Sequence, residues 1–350
     1  MPERHSLLAL AALVAVVVAG CGDNAEPPPR EVTLDAMVGA NGLSNEIVFT
    51  VPEDTRSVTI VVEGAATALY ALGALTLFDG IDRVGLGAEP IGAAMRASYD
   101  DEEIGQMPGG LLQSIRLGTY THVYPYRPGQ EVPAGQARLR VASDAAGPVR
   151  VTVLMPEEDA ANVLSLHLIV ISDTLTDPNT APFVTELERI FGQAGIVVRV
   201  ASVERITGSA LERITQSTEP QESPASQSAM LPGLIGDDAR DGLDVFIVES
   251  LPSGIGGLSL GTPGPPIRRS YYFGVLIRGG PGAVPLARVV AHEVAHFLAL
   301  QHVQNIGISG AIYPDPLDDT QPGQGNLMET GTILTADQAF ALTRSALLRP

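Results

Sequence analysis

The stretch at residues 291–302, AHEVAHFLALQH, constrains the fold of this chain more than any other. It lies in PLARVVAHEVAHFLALQ, whose apolar spacing predicts a helix with a proline near its first turn. His292 and His296, four residues apart, project from one helix face about one turn apart, so their imidazoles can converge on a single ion. Glu293 points to the side of that pair. A straight helix would carry His302 about 9 Å beyond His296 and well off its face. For His302 to join the others, the chain must leave the helix near Ala299 and turn back.

Three of the six histidines sit in this segment. Without a metal, two imidazoles and a carboxylate would be stranded on an otherwise apolar helix, at about 1–3 kcal/mol each if unpaired. The H-E-x-x-H spacing is that of zinc peptidases: two histidines bind the ion, and the glutamate reaches a water on it. Zn²⁺ suits imidazole, and three protein ligands leave one tetrahedral position open for that water. His302 is the first candidate for the third ligand. A carboxylate, Glu329, Asp315, Asp318 or Asp319, is the alternative.

HEVAHFLALQH resembles the signature of the metzincin metallopeptidases, H-E-x-x-H-x-x-G-x-x-H, at every position except the glycine, which is Ala299 here. An alanine in a left-handed conformation costs about 1–2 kcal/mol, so the turn is less readily made than in the family pattern. Downstream, Asn326-Leu327-Met328 resembles the methionine turn of that clan, with Met328 beneath the metal. With LTADQAFALTRSALL after it, the ending is similar to that of pappalysin-like metzincins. YPDPLDDTQP resembles the Asp-Thr-Pro loop of some of those enzymes, with Gln321 intervening before Pro322. No tyrosine follows Met328 closely, so the resemblance implies no tyrosine ligand. It covers residues 163–350 and implies zinc-dependent hydrolysis of peptide bonds, with Glu293 as the catalytic base and His292, His296 and His302 as metal ligands. It also implies an antiparallel edge strand that pairs with extended substrate, supplied by SYYFGVLIR or GGLSLG.

The single cysteine, Cys21, excludes an intramolecular disulfide. It follows a weakly basic start and an apolar run from Leu7 to Ala19, too short for a spanning helix, which needs about 20 residues. Val18-Ala19-Gly20-Cys21 resembles a bacterial lipobox, which implies lipidation at Cys21 and anchoring in the cell envelope. Gly22, rather than Asp, implies the outer membrane, with the chain periplasmic or surface-exposed. The expected organisation is a signal peptide over 1–20, a lipidated Pro-rich tether over 21–31, a β-rich accessory domain over 32–157 and a metzincin-like zinc peptidase domain over 158–350.

Short alternating runs between Gly, Pro and Asp predict an antiparallel β-sandwich in the first half. Beyond PEEDAAN, strands alternate with helices. LSLHLIVIS, VVRVASV, LDVFIVES and SYYFGVLIR read as strands, APFVTELERIFGQAGI as a crossover helix and GIGGLSLGTPGPP as a rim loop. The fold class is therefore α+β: a sandwich-like domain, then a mixed twisted sheet, active-site helix, methionine turn and C-terminal helix. His122 and His167 read as packing histidines, and YDDEE at 99–103 as a solvated loop.

A charge of −19, with no lysine, argues against nucleic acid. It reads as a solvated acidic surface, with Ca²⁺ in acidic loops a lesser expectation. The expected partners are a protein or peptide substrate and the membrane through Cys21. The alternative function is an envelope binding lipoprotein whose β-rich half does the work and whose zinc site is structural or degenerate.

Overall fold

The computed structural model describes residues 30–77, 112–215, 227–235, 241–252, 254–280, 282–306 and 312–349. Cys21, the leader over 1–20, the tether up to residue 29 and the YDDEE run lie outside them.

Eight strands come first: β1 (Glu31–Val38), β2 (Ile47–Val51), β3 (Val58–Glu63), β4 (Tyr70–Leu77), β5 (Leu112–Arg116), β6 (Thr119–Tyr124), β7 (Gly135–Ser143) and β8 (Gly147–Leu154). They form two antiparallel sheets, in the orders β1-β8-β3-β6-β5 and β2-β7-β4. The period of two decides which side chains meet. In β2, Ile47, Phe49 and Val51 are buried while Val48 and Thr50 face out. Phe49 and Leu139 of one sheet share an apolar cluster with Ile60, Val62, Tyr120 and Val151 of the other, so the sheets close on each other as a sandwich.

The second half is built on β9 (Val163–Ile171), β10 (Val197–Ile206), β11 (Leu243–Val248), β12 (Gly257–Ser259) and β13 (Val275–Arg278), in the order β10-β9-β11-β13-β12. The first four strands of that order are parallel, and β12 lies antiparallel on the edge. Helix α1 (Ala181–Phe191) connects β9 to β10, burying Phe183, Leu187, Ile190 and Phe191 on one face. It ends in a 3-10 turn at Gly192–Ala194, closed by Gly195 at φ 66°. Helix α2 (Ala283–Leu298) packs beside α1 on the sheet face that presents Leu164, Leu166, Leu168 and Val170. The other face, with Ile169, Phe246 and Leu276, is covered by Leu211, Ile214 and Leu231 from irregular segments. A hairpin of β14 (Gln304–Ile306) and β15 (Ile312–Pro314) follows α2, and helix α3 (Ala336–Thr343) closes the fold. No helix of the described residues is long and apolar enough to cross a membrane.

Two expectations change. SYYFGVLIR is a strand only at Val275–Arg278; Ser270 to Phe273 form a turn closed by Phe273 N–H on the Ser270 carbonyl at 3.1 Å. The GIGGLSLGTPGPP segment is more than a rim loop, since it contains β12. Pairing with β13 overrides the weak strand propensity of Gly257-Leu258-Ser259.

Candidate metal centre

Helix α2 is buried nearly all round over its last turns, from Val290 and Ala291 to Phe297 and Leu298. It stops at Leu298. Ala299 takes φ 137° and ψ −2°, and it is the one residue other than glycine with positive φ among the described residues. Its N–H reaches the carbonyls of Ala295 and His296 at 3.1 Å each, and Leu300 N–H reaches Ala295 O at 2.9 Å. These bonds satisfy the carbonyls left open at the helix end and reverse the chain, so that His302 folds back over the face carrying His292 and His296.

The three imidazoles meet through their Nε2 atoms. His302 Nε2 lies 3.2 Å from that of His292 and 3.1 Å from that of His296. Backbone carbonyls fix two tautomers: His292 Nδ1–H donates to Leu327 O and His296 Nδ1–H to Leu300 O, both at 2.7 Å. Both Nε2 atoms therefore present lone pairs. A neutral His302 offers one N–H at most, which satisfies one facing lone pair well and leaves another opposed. A cation satisfies all three. Tetrahedral zinc, with nitrogens at about 2.0–2.1 Å, sets its donors roughly 3.3 Å apart, close to the two separations seen here. Burial lowers the pKa of His292 and carries that of His296 well below the usual range, with His302 and His292 adding to the latter. His302 falls to about 4, from desolvation and then from His292. Neutral imidazoles at physiological pH are what a metal requires.

Glu293 is buried beside this cluster, and its carboxyl is raised to about 7 by desolvation, partly offset by a hydrogen bond from the Ser259 backbone. Edge strand β12 thus lies directly against the carboxylate. A Cβ on Gly257 would stand 2.6 Å from Glu293 Cγ, so only glycine lets the strand approach this closely.

The turn at Asn326-Leu327-Met328 supports His292 from behind. Leu327 supplies the carbonyl for the ring, Leu327 N–H binds Ile333 O at 2.8 Å, and Asn326 Oδ1 accepts from Met328 N–H at 2.8 Å. Met328 is buried in the same apolar cluster as Leu327 and Phe297. The Asn326 amide pairs with Gln338 in both directions, at 2.8 and 3.1 Å. Gln338 belongs to the capping box that Thr335 opens at the start of α3. Helix α3 is therefore tied through Asn326 and Leu327 to His292.

The carboxylates weighed as third ligand lie elsewhere. Asp315 accepts from Thr320 Oγ1 and Leu317 N–H, Asp319 Oδ2 from Asp337 N–H at 3.0 Å, and Glu329 from Gly323 N–H at 3.0 Å. Among the described residues, the ligand atoms that gather are those of His292, His296 and His302; Asp318 joins no such group, and no acidic set forms a calcium cradle. His167 is a satisfied core residue, bound to Ser202 Oγ at 2.7 Å and Asp241 O at 2.6 Å. His122 stacks on Tyr120 inside the sandwich, and burial lowers its pKa to about 4.

Sequence reasoning did not single out Gly257, Ser259, Leu300 or Gln338. Three of the four act through backbone atoms or a missing side chain. The glycine within GGLSLG was the available signal.

No family model matches the chain, and no curated protein matches it. Among solved structures it is similar to an archaemetzincin from Methanopyrus kandleri, at 14% identity and a TM-score of 0.28, covering 52% of this chain and 88% of that one. It is also similar to metalloproteinase-II from Bacteroides fragilis, at 13% identity and a TM-score of 0.29, covering 55% of this chain and 60% of that one. At such scores the chemistry rests on the side chains of this chain alone.

Proposed function

We propose that this protein is a zinc-dependent endopeptidase whose ligands are His292, His296 and His302 and whose catalytic base is Glu293. One observation carries the reading: three Nε2 atoms, two with their tautomers locked by backbone carbonyls, converge beside a buried carboxylate. When bound, zinc supplies Lewis acidity toward the scissile carbonyl and acidifies the attacking water. Glu293, with its pKa near 7, takes a proton from that water and returns it to the leaving amine. Ser259 N–H holds the carboxylate in place during both transfers. Strand β12, antiparallel on the sheet edge and pressed against Glu293, is the element that would pair with an extended peptide. Met328 forms the floor on this reading, as the metzincin resemblance implies.

Lipid anchoring of Cys21 in a bacterial envelope is a further part of the proposal and rests on the Val18-Ala19-Gly20-Cys21 motif. Metabolic labelling with a fatty acid, lost in Cys21→Ser, tests it.

For the chemistry, the purified chain is loaded with zinc and offered a peptide library with and without chelator. Glu293→Gln should keep its zinc and lose about 10²–10⁴ in turnover. His302→Ala should lose the metal. Equal cleavage by the wild type and Glu293→Gln would sink the peptidase reading, and no cleavage by a zinc-loaded wild type would favour the binding-lipoprotein alternative.

A further inference from the structure

The eight-stranded sandwich contributes nothing to the ligand set, yet it reaches into the apolar core of the second half. Just after β6, Tyr126 is fully buried and belongs to the same cluster as Leu317, Leu327, Met328 and Phe297, rather than to the cluster of its own sandwich. Its phenol lies near Asp315, which adds to the effect of burial in pushing the phenol upward. Burial raises the Asp315 carboxyl to about 6 and raises that of Asp337, with Asp319 adding to both and the charge of Arg127, the next residue, opposing.

This acidic segment leads to both supports of the histidine cluster. Toward His302, Asp315 N–H binds the carbonyl of Val303, the residue after the histidine, at 3.1 Å, and the β14–β15 hairpin begins from that point. Toward His292, Asp319 caps the Asp337 N–H in the first turn of α3, whose Gln338 grips Asn326 beside Leu327. The two routes leave the same short loop; one ends on the backbone next to His302 and the other on the His292 ring.

We propose that Tyr126 is a positioning residue for the three-histidine centre: its ring, buried in one cluster with Leu317, wedges the 315–320 loop against the core. The sandwich is then part of the support of the metal site. The inference rests on the zinc reading above for its affinity readout, and on hydrogen exchange for a readout that does not depend on it.

The experiment uses the full chain with Tyr126→Ala, Tyr126→Leu and Tyr126→Phe, measuring zinc affinity by competition with a chromophoric chelator. In metal-free samples, hydrogen exchange is followed at the Asp315 amide. Tyr126→Ala and Tyr126→Leu should bind zinc about 10–100-fold more weakly, the usual effect of losing a group that orients a ligand. Both should also exchange faster at Asp315. Tyr126→Phe, which keeps the ring, should match the wild type. Wild-type affinity and protection in folded Tyr126→Ala would overturn the proposal; should that variant not fold, the same result in Tyr126→Leu would do so. A wild type that binds no zinc defeats the peptidase reading, and the exchange comparison then decides this one by itself.

Discussion

Ala299 stands where the chain must turn, and it does so with a side chain that resists the turn. At φ 137° it occupies a sparsely populated region that costs about 1–3 kcal/mol, held there because its N–H and that of Leu300 close the helix end. Ala299→Gly would release that strain while losing about 0.4–1 kcal/mol through the freer unfolded chain. The net expectation is a gain of about 1 kcal/mol, read by chemical denaturation of the metal-free protein. A loss of stability would mean that Ala299 is not under strain. The same turn explains how much of the site was legible from sequence. Histidines four apart on an apolar helix declare a shared face, and His302 declares a turn, because ligand spacing is a geometric demand made in side chains. The groups that orient those rings are the carbonyls of Leu327 and Leu300, and a carbonyl leaves no trace in residue identity.

Helix α2 holds two of the histidines, and its own seat depends on α1. Glu186 of α1 accepts from Arg189 at 2.8 and 3.0 Å, and from Arg288 of α2 at 2.7 Å. The Arg189 hydrogen bonds, joined by Arg288 and opposed by desolvation, bring the carboxyl down to about 2. A depressed carboxylate pKa contributes stability that is present above the unfolded value of about 4.5 and lost as the pH falls through about 2. Glu186→Gln should therefore cost about 1–2 kcal/mol at neutral pH, both guanidinium partners being half exposed and screened. It should also flatten the acid limb of the stability curve between about pH 4.5 and 2; an unchanged limb would exclude the pair as an anchor. On the other side of the site, Gln338→Ala breaks the buried amide pair with Asn326, strands its partner and frees the Leu327 turn. The expectation is about 1–3 kcal/mol of lost stability together with weaker zinc binding, followed by thermal melts with and without metal. Long periodic elements such as α1 and α2 were legible within a few residues. The three-residue β12 was legible only as one of two candidates for the edge strand, through the metzincin resemblance, because its glycine-rich run carries no periodicity and its support comes from β13 and Glu293.

Between the sandwich and the mixed sheet, polar groups are shared at several points. Ser57 Oγ–H donates to Arg344 O at 2.7 Å, and Arg344 Nη1 returns a bond to Arg56 O at 3.0 Å while lying against Glu158 and the Phe340 ring. Arg56, almost wholly buried, donates to Ala160 O at 3.2 Å and Asn162 Oδ1 at 2.6 Å in the connecting segment. Farther along, Tyr272 O–H donates to Leu117 O at 2.7 Å and Arg269 pairs with Glu63 at 2.8 Å. None of this could be read beforehand, since each residue finds its partner across a long loop of chain. The consequence is thermodynamic: with Tyr126 in the second core, the two halves should unfold together, giving one transition by circular dichroism and by hydrogen exchange in both. Arg344→Ala tests the linkage, since it removes the bonds to Arg56 O and Glu158 but also relieves the repulsion that, after burial, lowers the pKa of Arg56. These effects oppose each other, so the substitution should cost about 1–2 kcal/mol and split the single transition rather than abolish folding. If Arg344→Ala leaves one sharp transition at the wild-type midpoint, Arg344 does not join the halves, and the linkage falls to Tyr126 and to the bonds at Tyr272 and Arg269.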